Sequence, residues 1–337
     1  MKKSLAILLA VCLLAGCAAA PAPTTAQTTV PTTAAPTTSA TTMATAATEP
    51  TYAESAISPL LYKVSDGDST VWLFGSIHVG EDYFYPLPGY VLSAYHGADA
   101  LAVECDVVAM TENIFGMSSA LMPLIYTDGS TIRDHISPEL YEQAVNAMKD
   151  AGLYMSMMDR CKPALWYMLL ESWLVLESGV DTELGIDMHF LTDAHETGKE
   201  IREIESAEFQ YGMLAGFSEP LQLLLLEDII ASIGEAETYA EETKLLLQLW
   251  AEGDEAAITE YLTSDEMPTD PTELALMEEF NNAMITSRNL GMADFAEEAL
   301  QNNEEVFIVV GAAHVVGPDA MADLLAQRGY TVEVVKP

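Results

Sequence analysis

Strand-like segments gather near the two ends of this chain, and the stretch from about Met110 to Leu300 is almost wholly helical in character. "LLYKVS" and "TVWLFGSI" flank the turn-forming cluster "DGDS" and predict a hairpin over residues 60–78. A helix over Gly89–Gly97 and a short buried strand in "DALAVECD" follow. The C-terminal end repeats the order, with "EVFIVV", then the helical "PDAMADLLAQRG", then "YTVEVV". Strands must pair, so the two ends have to meet. The fold class predicted is α/β, with a mixed sheet built from N- and C-terminal βαβ-like halves and a large central helical insertion.

The middle supplies the helices. "SPELYEQAVNAMKDAG" opens on a Ser cap with Pro at the first position and stops at Gly152. "KPALWYMLLESWLVLESG" is apolar enough for a core helix, and "ELGIDMHFLTDAHETG" ends at Gly198 before a short strand in "KEIREIES". Three amphipathic runs lead to a long one over residues 271–303, with a kink expected near Gly291.

Two of the strands run into the same pattern. "VWLFGSIHVG" (71–80) and "VFIVVGAAHVVG" (306–317) each carry a strand into Gly-x-x-His and on to another glycine. A glycine directly after a strand allows a tight turn and close backbone approach. Strand ends of an open α/β sheet are where ligand sites collect. If both halves share one sheet, His78 and His314 come together. Neutral imidazoles serve as metal ligands or as general bases; the alternative is that each histidine caps a turn.

Glu104 closes an apolar strand, where an acid is costly unless it is paired, metal-bound or already back in water. Glu205 ends the later strand with the same ambiguity, while Glu203 and Glu208 read as solvated. Arg288 and Asn289 stand in a helix of a chain with only 13 basic residues. An arginine there orients a carboxylate or an oxyanion, or forms an ordinary salt bridge. His96, His135, His189 and His195 lack a shared spacing. Cys105 and Cys161 are too few for a thiolate zinc site, and their spacing does not settle whether they pair.

The first 16 residues have a basic start and an apolar core, and with Cys17 they end in "LAGC", which resembles the lipobox of bacterial lipoproteins. That implies cleavage before Cys17, acylation of Cys17 and an extracytoplasmic protein anchored to a bacterial membrane by lipid. Residues 17–53 are nearly all Ala, Thr and Pro and read as a disordered stalk, leaving 54–337 as one domain. With 52 acidic residues and a net charge of −39, the chain has no electrostatic footprint for nucleic acid.

Taken together, "FGSIHVG" and "VGAAHVVG" resemble the paired motifs of the TraB/GumN family, whose animal relatives include the Tiki proteins. "LAVECD" is similar to that family's strand-end glutamate, Glu104. "GIDMHFLTDAHETGKEIREIESAEFQ" matches its stretch around Asp187, Glu205 and Gln210, and "SRN" its Arg-Asn pair, Arg288 and Asn289. Ser76 stands where Thr is usual, and Ile204-Glu205-Ser206 replaces Leu-Glu-Thr. The resemblance implies a fold like the erythromycin esterase and ChaN group. It further implies a metal-dependent hydrolase, chiefly a peptidase, acting on a peptide or protein. His78, Glu104 and His314, with Glu205, would hold manganese, cobalt or zinc, and Arg288 and Asn289 would assist catalysis. The ChaN analogy leaves a rival: a lipoprotein that binds a metal, a haem or a surface ligand without turnover.

Overall fold

The computed structural model describes residues 52–264 and 268–336. The signal-like segment, Cys17 and the Ala/Thr/Pro-rich stretch up to Thr51 lie outside them. Strands β1 (Leu61–Ser65) and β2 (Thr70–Ser76) form the expected hairpin. Helix α1 (Gly89–Gly97) leads to β3 (Ala100–Val103). The helical region follows: α2 (Val107–Glu112), α3 (Ile114–Leu121), α4 (Pro138–Asp150), α5 (Pro163–Glu177) and α6 (Ile186–Thr197). It is interrupted by β4 (Glu200–Glu203). It resumes with α7 (Ala207–Ala215), α8 (Glu219–Ile233), α9 (Ala236–Glu252), α10 (Glu255–Thr263), α11 (Pro271–Asn281) and α12 (Ser287–Gln301). β5 (Val306–Gly311), α13 (Ala312–Val315), α14 (Met321–Gln327) and β6 (Thr331–Val335) complete the order.

The two ends do meet. The sheet order is β4-β3-β5-β2-β1-β6, so C-terminal β5 lies between N-terminal β3 and β2, and β6 extends the hairpin. β4, β3, β5 and β2 are parallel, and β1 runs against both of its neighbours. All six residues of β5 are buried, as a central strand covered on both faces requires. Its side chains alternate: Phe307 and Val309 enter a large core under the helical insertion, and Val306, Ile308 and Val310 face a smaller one. Met292, Ala296 and Leu300 of α12, with Met321 and Leu325 of α14, close that smaller core.

Local signals explain where most helices start. Ser137 accepts from Leu140 N–H at the head of α4, with Pro138 in the first turn, and Ser206, Asp254 and Asp270 cap α7, α10 and α11 in the same way. The long C-terminal helix departs from expectation. Gly291 lies inside regular α12, and the irregularity is a π-helical turn at Asn282–Thr286, where Ser287 N–H reaches back to Asn282 C=O. A lone glycine does not bend a helix that its neighbours pack in register, whereas one extra residue in a turn must be absorbed by widening it. Cys105 and Cys161 are separate free thiols.

Candidate functional site

Four parallel strands deliver their carboxyl ends to one place. Ser76 of β2 pairs in register with Gly311 of β5, and Val309 of β5 with Val103 of β3. The two Gly-x-x-His loops therefore leave the sheet side by side, and Glu104 emerges next to them. Gly75 lets them touch, because a Cβ there would stand 2.9 Å from Ala312 Cα. His78 is then locked against the start of α6: Ile186 N–H donates to Ile77 C=O at 2.9 Å, and a Cβ on Gly185 would lie 2.4 Å from His78 C=O.

That close packing brings Asp187, in the first turn of α6, under the first motif. Its Oδ1 accepts from Ser76 Oγ at 2.7 Å, and its Oδ2 lies 2.5 Å from His78 Nδ1. A carboxylate this close favours the imidazole proton on Nδ1, which leaves the lone pair of a neutral ring on Nε2. Ser76 is bonded to the carboxylate rather than to the imidazole, so the three do not form a nucleophilic triad.

His314 is fully buried and is fixed by the equivalent device with a neutral partner. Asn289 Nδ2 donates to Asp319 C=O at 2.9 Å, which turns its Oδ1 toward His314 Nδ1 at 2.7 Å. The proton therefore sits on Nδ1, and Nε2 carries a lone pair with no hydrogen-bond partner among the described residues. That Nε2 faces Glu104 Oε1 at 4.0 Å. Burial, reinforced by the Arg288 guanidinium and His78 and opposed by Glu104, lowers the His314 pKa to about 3. The ring is neutral across the physiological range.

Glu104 is buried at 5 % exposure, and donors surround it. Gly311 N–H gives to Oε1 at 2.8 Å, while Arg288 Nη2 and Gln210 Nε2 both give to Oε2. Burial pushes its pKa upward, but the Arg288 charge, helped by His314, His78 and the Gly311 N–H, holds it below the usual carboxylate range. Glu205 takes the other side of the same guanidinium, from Nε at 2.8 Å and Nη2 at 2.9 Å, and also accepts from Gln210. Cys105 completes the cluster by donating to Gln210 Oε1. Burial, added to the surrounding carboxylates, raises its thiol pKa, so it is no ready nucleophile.

His78, Glu104, His314, Glu205, Arg288 and Asn289 thus all meet at one end of the sheet. Arg288 is bonded to Glu104 and Asn289 to His314, and both are buried. His195 pairs with Asp106, His135 with Glu219, and His96 and His189 pack on tyrosines, so none joins the centre. Gln210 and Asp187 stood out in the sequence only through the resemblance, and Ser76 only as a departure from it. A local signal did exist for Asp187: an acid in the first turn of a helix entered through Gly185.

The implied divalent ion can be weighed against these donors. Two carboxylates, Glu104 and Glu205, share one guanidinium, and the His314 lone pair lacks a partner, which suits a cation. Oε1 of Glu104 has one remaining lone pair, whereas both oxygens of Glu205 are committed to Arg288 and Gln210. The fitting set is therefore His78 Nε2, His314 Nε2 and Glu104 Oε1, without Glu205. Bonds of about 2.1 Å in tetrahedral geometry put donors about 3.4 Å apart, so the 4.0 Å gap must close by roughly half an ångström. Among the described residues no three such side chains already stand at ligand spacing.

The chain is similar to known proteins over most of its described residues. The chain is 25% identical over 265 residues to the uncharacterized protein YbaP of Escherichia coli strain K12, covering 77% of this chain and 89% of that one. It is 26% identical over 259 residues to YbaP of Shigella flexneri, covering 75% and 86%. No solved structure matches. The model of the TraB/PrgY/gumN family matches residues 60–334, which span both Gly-x-x-His motifs and every side chain of the centre, and the chain belongs to that family.

Proposed function

We propose that this chain is a metal-dependent hydrolase, most simply a peptidase, centred on His78, Glu104 and His314. The observation that carries the reading is the matched tethering of two imidazoles at adjacent strand ends. Each ring has its Nδ1 beside a side-chain oxygen, from Asp187 or from Asn289, and Nε2 of His314 faces Glu104. Such outer partners fix the tautomer and raise the basicity of histidine ligands.

His78 Nε2, His314 Nε2 and Glu104 Oε1 would hold manganese, cobalt or zinc. The ion would polarise the scissile carbonyl and lower the pKa of a water molecule. Arg288 and Gln210 position Glu104 by occupying Oε2, which leaves Oε1 directed at the centre. Arg288 also neutralises Glu205 and keeps it out of the ligand set. Burial of the whole cluster excludes bulk water and strengthens each of these interactions.

The lipobox-like ending at Cys17 and the Ala/Thr/Pro-rich stretch after it support an extracytoplasmic protein anchored by lipid on Cys17. The competing reading is an ion-binding lipoprotein without turnover. Complete burial of His314 favours a bare ion over a haem, whose plane needs an open imidazole edge. Cleavage of a peptide library with added manganese, cobalt or zinc tests the proposal. Wild type cleaves and His78→Ala does not; equal cleavage by both removes the centre from the reaction.

A further inference from the structure

β4 is an outer strand, and its register shows which backbone groups are free to pair. Ile204 N–H donates to Val103 C=O, and Arg202 pairs with Ala102 in parallel register. In that pattern the inward groups belong to Glu200 and Arg202 of β4 and to Ile204 just past its end. The N–H and C=O of Ile201 and Glu203 consequently point away from the sheet. Ile201 and Glu203 also line a cleft of about 300 Å³, together with Met110 of α2 and Met117 of α3. Asp106, Glu203 and Glu208 give the cleft a negative rim, and no Lys or Arg lines it. β4 ends at Glu203, two residues before Glu205 of the buried centre.

We infer that this cleft is a peptide-binding groove in which an extended, basic segment adds as a further strand to the outer edge of β4. Strand addition supplies affinity through main-chain hydrogen bonds and selectivity through pockets for alternate side chains. Ile201 and Glu203 offer the main-chain pairs, the methionines receive apolar side chains facing α2 and α3, and the acidic rim selects lysine or arginine. The methionines suit this task because their side chains adapt to varied shapes. As a substrate site this rests on the hydrolase reading, since it identifies the substrate class as basic, extended polypeptide. As a binding site it stands alone.

The test uses fluorescein-labelled (Lys-Val)₄ and (Glu-Val)₄ octapeptides, with anisotropy as readout and the lipid-free mature chain as protein. The Lys-Val peptide binds at least tenfold more tightly than the Glu-Val peptide. Ile201→Pro removes an N–H that the sheet does not use, and edge strands tolerate proline; binding falls at least tenfold, while Ile201→Ala, which keeps the N–H, costs less than threefold. N-methylation of the peptide at alternate residues provides a measurement that leaves the protein unaltered. One set of alternate positions abolishes binding and the other does not, because only every second N–H of an added strand faces β4. Equal binding of the two peptides, unchanged binding by Ile201→Pro, indifference to the methylation register, or a dimer formed through β4 would each overturn the proposal. Binding to His314→Ala at wild-type affinity supports it and separates it from hydrolysis: Lys-Val bound by wild type but never cleaved removes the hydrolase reading alone.

Discussion

Arg288→Met tests whether one guanidinium neutralises the buried centre. In the native chain its side chain is 1 % exposed and is shared between Glu104, 5 % exposed, and Glu205, 8 % exposed. Methionine fills much of the volume but strands two carboxylates away from water. Breaking a buried pair by removing one partner costs about 3–5 kcal/mol, and a second stranded carboxylate puts this variant at the upper end of that range at pH 7. The loss depends on pH in a defined direction. The native pKa of Glu104 is depressed, so its stabilising contribution is fully present above the unfolded value and disappears only as pH falls through the folded one. Without Arg288, burial dominates and raises that pKa above the unfolded value. The variant is then least penalised below the unfolded pKa and loses stability as pH rises through the new folded one. Urea unfolding of both proteins at pH 7.5 and near pH 4.5 should show a wide gap that narrows by about half. A gap under about 1 kcal/mol at pH 7.5, or one independent of pH, would refute this electrostatic account.

Three further outcomes follow from the same contacts. Asn289→Leu removes the acceptor on His314 Nδ1 and should lower metal affinity about 10–100-fold with little change in far-UV circular dichroism; unchanged affinity would dissociate Asn289 from the centre. Gly185→Ala drives a methyl to 2.4 Å from His78 C=O and should cost about 3 kcal/mol or more in thermal unfolding, whereas Gly152→Ala, in open space, meets only backbone strain at φ +72 and costs less. In the metal-free protein, imidazole ¹⁵N spectra should show His314 neutral with its proton on Nδ1 down to pH 5, since burial holds its pKa near 3; a ring protonated at pH 6 would contradict the burial argument, and a neutral ring with its proton on Nε2 the Asn289 assignment.

Much of this arrangement was legible because it is local. Strand runs ending in Gly-x-x-His announce both the strand end and the side chain on its loop, and Glu104 betrays itself as an acid closing four apolar residues. Helix starts were readable wherever Ser, Asp or Pro supplies the cap. Sheet order was only half readable: the ends had to meet, yet nothing local says that β5 enters between β3 and β2 while β6 goes to the edge. The pairings escaped for the same reason. Arg288 could have met any carboxylate, and only the tertiary fold brings Glu104 and Glu205 onto its two sides, with Gln210 bonded to both acids. The π-helical turn before it leaves no compositional trace, whereas Gly291 does and misleads.

The central claim is that His78, Glu104 and His314 converge on one divalent ion. Calorimetric titration of the metal-free protein with manganese measures this directly. The account predicts one ion per chain in the wild type, with affinity reduced at least a hundredfold in His78→Ala, Glu104→Gln and His314→Ala alike, and little reduced in His195→Ala, which is bonded elsewhere to Asp106. Equal manganese binding by wild type and the three centre variants would contradict it.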